Sequence, residues 1–142
     1  MEQKKHILLV EDNPNDELLT KMALEKSMPE IEIDVARDGH EAIEYFFGQN
    51  NSDHPIPTLI ILDLNIPMIN GLEVLQRLRS ETKTMTIPIV VLTSSKEEKD
   101  IQMSFKFGAN SYILKPVDFV EFEKIADLIG RYWLNINETV HK

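Results

Sequence analysis

The sequence predicts an open α/β fold: one parallel sheet of five strands with helices packed on both faces. Three observations carry this. Ile7-Leu8-Leu9-Val10, Leu59-Ile60-Ile61-Leu62 and Ile89-Val90-Val91-Leu92 are continuously apolar, as strands buried on both faces of a parallel sheet are. Helical periodicity with capping residues fills the intervals, so strand and helix alternate along the chain. Each apolar run then stops at a polar or acidic residue, at the end of the strand where open α/β sheets carry their sites.

The first run, Ile7–Val10, ends at Glu11-Asp12, and Asn13-Pro14 opens a helix. Asn13 caps the free amides and Pro14 fits the first helical position. Leu18, Leu19, Met22 and Ala23 are expected to form its inward face. Ile31-Glu32-Ile33-Asp34-Val35 alternates apolar and acidic residues, the pattern of a half-exposed edge strand. A second helix turns Ala42, Ile43, Phe46 and Phe47 inward. Gln49 to Pro57 is a polar, proline-containing connection, long for its type, to which the sequence assigns no role.

The second apolar run reaches Asp63. Pro67 and Gly71 flank a loop before a third helix bearing Leu72, Leu75 and Leu78. The third run ends at Thr93-Ser94-Ser95, and Ser95 with Glu98 has the spacing of a capping box for the fourth helix. On that helix Ile101 and Phe105 share one face and Met103 and Phe107 roughly the opposite one. One pair is expected to pack on the sheet and the other to meet a partner, or to fold over a neighbour. Gly108-Ala109-Asn110 closes the helix, and Tyr112-Ile113-Leu114 is a short last strand ending at Lys115-Pro116. Asp118 with Glu121 starts the final helix, whose apolar face is Phe122, Ile125, Ala126, Ile129, Tyr132 and Trp133. Continuous strands belong in the centre and the alternating one at an edge, which fits the flavodoxin-like (βα)5 arrangement with strand order 2-1-3-4-5.

The 142 residues read as a single domain, 1–142, with a core over about residues 5–134 and a short tail at 135–142. A chain of this length buries roughly two-thirds of its unfolded surface. Its 42% hydrophobic and 27% charged residues place it among globular rather than disordered chains. A net charge of −9 argues against a nucleic-acid partner. The absence of cysteine excludes disulfides and zinc–thiolate sites and suits a reducing cytoplasm. Only four apolar residues follow Met1–His6 before Glu11, so neither a signal peptide nor a membrane span is expected. His6, His40, His54 and His141 are scattered, and none suggests transition-metal ligation.

With the strands parallel, Glu11, Asp12, Asp63, Thr93 and Lys115 lie along one edge of the sheet. Three carboxylates in one cleft repel each other, and a proton or a cation must relieve that. Oxygen ligands from two carboxylates and a loop carbonyl suit Mg²⁺, which keeps several waters and meets phosphate readily. Lys115 can reach a phosphoryl oxygen, and the Thr93 hydroxyl can donate to another. Such a set can place a phosphoryl group on Asp63 by in-line transfer.

Glu11-Asp12, Asp63, Thr93 and Lys115-Pro116, in this order at these strand ends, resemble the receiver domain of two-component response regulators. The likeness runs from Ile7 to about Leu134. Within the family the chain resembles the small single-domain regulators paired with bacterial and cyanobacterial phytochrome histidine kinases. Val10-Glu11-Asp12-Asn13, Asp63-Leu64-Asn65-Ile66-Pro67, Gly108-Ala109-Asn110-Ser111-Tyr112 and Tyr132-Trp133-Leu134 carry that narrower likeness. It implies that Asp63 accepts the phosphoryl group from a histidine kinase. Asp12 and Asp63 would bind Mg²⁺ directly, Glu11 through water, and Asn65 through its backbone carbonyl. Thr93 and Lys115 would contact the phosphoryl oxygens, Tyr112 would switch rotamer with Thr93, and Lys115-Pro116 would be a cis peptide. The face of the fourth helix, last strand and fifth helix would serve targets or a homodimer. Asn70 stands where the family usually has Asp.

Singly, these residues have plainer readings. Asp63 could be a solvated strand-end acid, Glu11-Asp12 could enrich a helix start with negative charge, and Thr93 is an ordinary strand former. Two other functions are the alternatives, one on the same fold and one that also uses an aspartate nucleophile at a strand end. A phosphorylation-independent interaction module would not need the intact acids, Thr93 and Lys115. A phosphatase of the haloacid-dehalogenase type would want an acid two positions beyond the nucleophile, where Asn65 cannot serve.

Overall fold

The computed structural model describes residues 5–49 and 54–140. Its strands are β1 (His6–Val10), β2 (Glu32–Ala36), β3 (Leu59–Leu62), β4 (Ile89–Thr93) and β5 (Ser111–Leu114). The helices are α1 (Pro14–Ser27), α2 (Gly39–Phe47), α3 (Gly71–Ser80), α4 (Glu98–Lys106) and α5 (Phe119–Gly130), the last running into a π-helical turn, Arg131–Ile136. All strand pairings are parallel, in the order β2-β1-β3-β4-β5. The continuous apolar strands β1, β3 and β4 are therefore central, and the alternating β2 is an edge. Among the described residues no helix is long and apolar enough to cross a membrane.

The two-residue period of the strands divides the core. Leu8, Val10, Ile60, Leu62 and Val91 face Ala42 and Phe46 of α2 and Val74, Leu75 and Leu78 of α3. Ile7, Leu9, Leu59, Ile61, Val90 and Leu92 face Leu24 of α1 and Phe122 and Ile129 of α5. Each fully buried Leu or Ile contributes about 1.5–3 kcal/mol, so a register shift that exposed one face would cost more than any loop contact could recover.

Side-chain caps set most helix starts. The Asn13 amide oxygen accepts from the backbone N–H of Asn15 at 2.9 Å and of Asp16 at 3.1 Å, with Pro14 at the first position. Asn13→Ala is expected to cost about 1 kcal/mol, read as a lower urea midpoint with unchanged slope. Asp38 caps α2 and Asp118 caps α5. Asn70 caps α3 through the Glu73 N–H at 3.0 Å, a task Asn and Asp perform equally well. The departure from the family's usual Asp thus leaves the loop intact.

The structure corrects three expectations about individual residues and decides between the two faces of α4. Ser95 and Glu98 form no capping box: α4 starts at Glu98 without a side-chain cap. The Ser95 hydroxyl donates instead to Asp100 at 2.6 Å and accepts from the Glu97 N–H at 3.3 Å. In α1, Leu18 and Met22 are exposed while Thr20, Ala23 and Leu24 are buried. That helix carries apolar residues on more than one side, so its rotation is decided by α5. Leu24 lies over Gly130, where an added Cβ would come within 2.6 Å of it. Tyr132 is exposed and Leu134 buried, because the wider π turn shifts the phase of a stripe extrapolated at 3.6 residues. On α4, Phe105 is exposed and Phe107 packs into the core.

The long connection after α2 includes residues 50–53, which lie outside the described residues. At its far end His54 stacks on Tyr45, ring centroids 4.2 Å apart. Tyr45, absent from the expected inward stripe of α2, is buried and donates its hydroxyl to Asp34 of β2 at 2.8 Å.

Candidate functional site

Glu11, Asp63 and Lys115 stand one rung beyond the regular strands, each tied to its neighbour's backbone, and Thr93 is the last residue of β4. The Glu11 N–H donates to the Ala36 carbonyl at 2.9 Å, that of Asp63 to Val10 at 3.0 Å, and that of Lys115 to Thr93 at 2.8 Å. The ladder thus carries the rigidity of the sheet into the site, and brings Glu11, Asp12, Asp63, Thr93 and Lys115 to one edge as the sequence predicts. Tyr112 is near enough to the site that burial raises its phenol and the charges of Asp100 and Asp63 add to the rise. It is half-buried on β5, and its phenol donates to the Ser95 carbonyl, on the connection between β4 and α4, at 2.9 Å.

Lys115 is the centre of the arrangement. Its side chain is 6% exposed, and Nζ lies 2.8 Å from Glu11 Oε1, 2.8 Å from Asp16 Oδ2 and 2.7 Å from Asp63 Oδ2. An ammonium has three N–H donors, and each carboxylate takes one. Asp16 was not among the residues singled out from the sequence. The signal was there: Asp16 is an acid in the first turn of the helix that begins just beyond Glu11-Asp12, so the chain carries it to the same edge of the sheet. The Lys115–Pro116 peptide is trans, not cis. Proline lowers the cost of cis without removing the 0.5–1 kcal/mol preference for trans.

Asp63 is buried. Its Oδ1 accepts from the Asn65 N–H at 3.1 Å, its Oδ2 from Lys115, and the Thr93 hydroxyl donates to the same carboxylate. Burial alone would push Asp63 up. The hydrogen bond and charge of Lys115, with the Thr93 and Asn65 donors, more than offset this and hold it below the ordinary carboxylate range. Burial dominates at Glu11, pushing it up to about 7, with Lys115 only partly opposing and Asp63 adding to the rise. Burial would lower Lys115, but its bonds to Asp16, Asp63 and Glu11 hold it above the usual lysine value. Asp63 is therefore ionised and oriented, the state a carboxylate nucleophile needs.

Glu11, Asp12 and Asp63 can each offer an oxygen within 4.8 Å of the others. Two of these acids are buried and Asp12 faces solvent, so a cation there would meet hard oxygen donors and open water. That donor set fits a hard divalent cation of the Mg²⁺ or Mn²⁺ kind. Among the described residues no histidine joins this group: His6 pairs with Glu32 at 2.7 Å and His54 stacks on Tyr45, while His141 lies outside the described residues.

Residues 7–127 match the response regulator receiver domain. The chain is 33% identical to a probable methanogenesis regulatory protein, FilR2, of Methanothrix harundinacea, over 94% of this chain and 86% of that one. It is 36% identical to response regulator Rcp1 of Synechocystis over 92% of this chain and 89% of its relative. The crystal structure of the phosphorylated cyanobacterial phytochrome response regulator RcpA superposes with a TM-score of 0.94 at 36% identity, covering 98% of this chain and 100% of that one. The Mn²⁺-bound form of Rcp1 gives a TM-score of 0.91 at 34% identity, over 96% and 99% of the two chains. With its strand order, its edge of acids and its buried lysine, this chain belongs to the response regulator receiver family.

Proposed function

We propose that this receiver takes a phosphoryl group onto Asp63 from a histidine kinase, in a reaction that needs Mg²⁺. The observation that carries the reading is the Asp63 carboxylate itself. It is buried at the end of a central strand, ionised, and gripped by Lys115, Thr93 and the Asn65 N–H. Asp63 is the nucleophile. The Thr93 hydroxyl and Lys115 ammonium, already directed at its oxygens, are placed to turn to the incoming phosphoryl oxygens. Asp12 and Asp63 would hold Mg²⁺ directly, Glu11 through water and Asn65 through its backbone carbonyl; the ion supplies charge neutralisation between donor and acceptor. The Mn²⁺ in the Rcp1 structure supports a divalent cation in this class of site.

Likeness to RcpA, a phytochrome response regulator, points to a phytochrome-type histidine kinase in the cytoplasm as donor. No clustered basic surface for nucleic acid or membrane is implied by a chain of net charge −9. On phosphorylation Thr93 would move toward the new group and Tyr112 would exchange its bond to the Ser95 carbonyl. That biases a pre-existing equilibrium of the α4–β5–α5 face. Phe105, Leu114 and Leu128 are exposed on those elements, which favours a target or a second copy of the chain binding there.

Incubation with acetyl phosphate and Mg²⁺ is expected to add one phosphoryl group to the wild type and none to Asp63→Asn, read by intact-mass spectrometry. An unlabelled wild type, or equal labelling of the variant, would reject the reading.

A further inference from the structure

Asp16 is the partner of the Lys115 ammonium to which the phosphoryl-transfer scheme above gives no task. Its Oδ2 lies 2.8 Å from Nζ, as close as the Glu11 oxygen. It differs from the other two partners in one respect. Glu11 and Asp63 belong, with Asp12, to the group whose oxygens converge as a cation site; Asp16 does not. A cation drawing on Glu11 and Asp63 competes with the ammonium for their lone pairs, whereas the Asp16 oxygens stay with Lys115. The aspartate is also firmly placed. Its N–H donates to the Asn13 side chain at 3.1 Å, and its carbonyl accepts from the buried Thr20 hydroxyl at 2.7 Å. With its side chain 23% exposed, the contact is only partly screened by water.

We infer that Asp16 is a positioning residue for phosphoryl transfer: it keeps the Lys115 ammonium at the reacting edge when a cation engages Glu11 and Asp63. The inference rests on Asp63 being the phosphoacceptor. In the step itself an Asp63 oxygen forms the new O–P bond. The donor's bond to phosphorus breaks at the same time, and with acetyl phosphate the bonding pair leaves on acetate. An ammonium that spends one N–H on Asp16 retains two for Asp63 and the phosphoryl oxygens. Without that tether the four-carbon side chain regains rotamer freedom, and the geometry that stabilises the transferring group is populated less of the time.

A plainer role exists, since an acid in the first turn of a helix favours the helix dipole. Two substitutions separate the roles. Asp16→Asn loses the charge that the dipole would use but keeps an oxygen that accepts from an ammonium; Asp16→Ala loses both. Labelling by acetyl phosphate at saturating Mg²⁺ is expected to be roughly tenfold slower in Asp16→Ala than in wild type. Asp16→Asn is expected to recover most of the rate, and all three proteins to bind Mg²⁺ equally by calorimetry. Asp16→Ala labelled at the wild-type rate, or both variants equally slow, would overturn the inference. So would a loss of Mg²⁺ affinity matching the loss of rate, which would make Asp16 part of the cation's own field. A wild type that takes no label removes the phosphoacceptor reading as well, whereas a wild-type rate in Asp16→Ala removes this inference alone.

Discussion

Lys115→Ala is expected to slow phosphorylation of Asp63 by on the order of 10²–10³-fold, the usual effect of removing one preorganised charge-stabilising donor. The expectation follows from burial as much as from charge. Nζ sits within 2.8 Å of three carboxylates in a site where the lysine side chain is 6% exposed, so no mobile water can substitute for a fixed ammonium. The same change should weaken the fold. Breaking a buried ion pair by removing one partner costs about 3–5 kcal/mol, because the remaining charge is left uncompensated. Here Glu11 and Asp63 would face each other with no cation between them. Added Mg²⁺ should return part of that stability, since both acids can share an ion with Asp12. The checks are time-resolved intact mass for the rate and urea unfolding with and without Mg²⁺ for the stability. A variant labelled as fast as wild type, or one whose stability ignores Mg²⁺, would contradict this account.

Gly39→Ala is expected to destabilise the protein by about 3 kcal/mol, the upper end of what overpacking costs. Gly39 opens α2 directly against the loop between β3 and α3. Its N–H donates to the Pro67 carbonyl at 3.2 Å, and an added Cβ would come within 1.8 Å of the Ile69 carbonyl oxygen and 2.6 Å of the Ile69 carbonyl carbon. Those are backbone atoms, which cannot rotate aside as a flexible side chain can. The loop has little slack, for it already holds Met68 at φ 71°, a left-handed conformation that costs a non-glycine residue about 1–2 kcal/mol. Because the loop begins at Asp63 and Asn65, slower labelling should accompany the lost stability. A urea midpoint equal to that of wild type would show that the contact is not made in solution.

The places where reading the chain failed share a cause. Strand positions and their burial were legible because a run such as Leu59–Leu62 has no polar residue to turn outward, and the caps Asn13 and Asp118 are local chemistry. The rotation of α1 was not legible: Leu18, Met22, Ala23 and Leu24 offer more than one apolar side, and only the seat that Gly130 provides for Leu24 selects among them. Ser95 matched a capping pattern, yet its hydroxyl is held by Asp100, a competition no spacing rule weighs. Tyr132 was misplaced because nothing in a 3.6-residue stripe announces a π turn.

Sequence by itself determined the strand order's logic, the acids and lysine at one edge, and hence the family, since strand hydrophobicity and the residue closing each strand are properties of contiguous stretches. Only the tertiary structure decided how one ammonium is divided among Glu11, Asp16 and Asp63. That division depends on distances between side chains up to about a hundred positions apart in the chain, and on a burial that raises Glu11 while leaving Asp63 ionised. Electrostatics of this kind are set by solvent exclusion and geometry, which exist only once the helices have closed over the sheet.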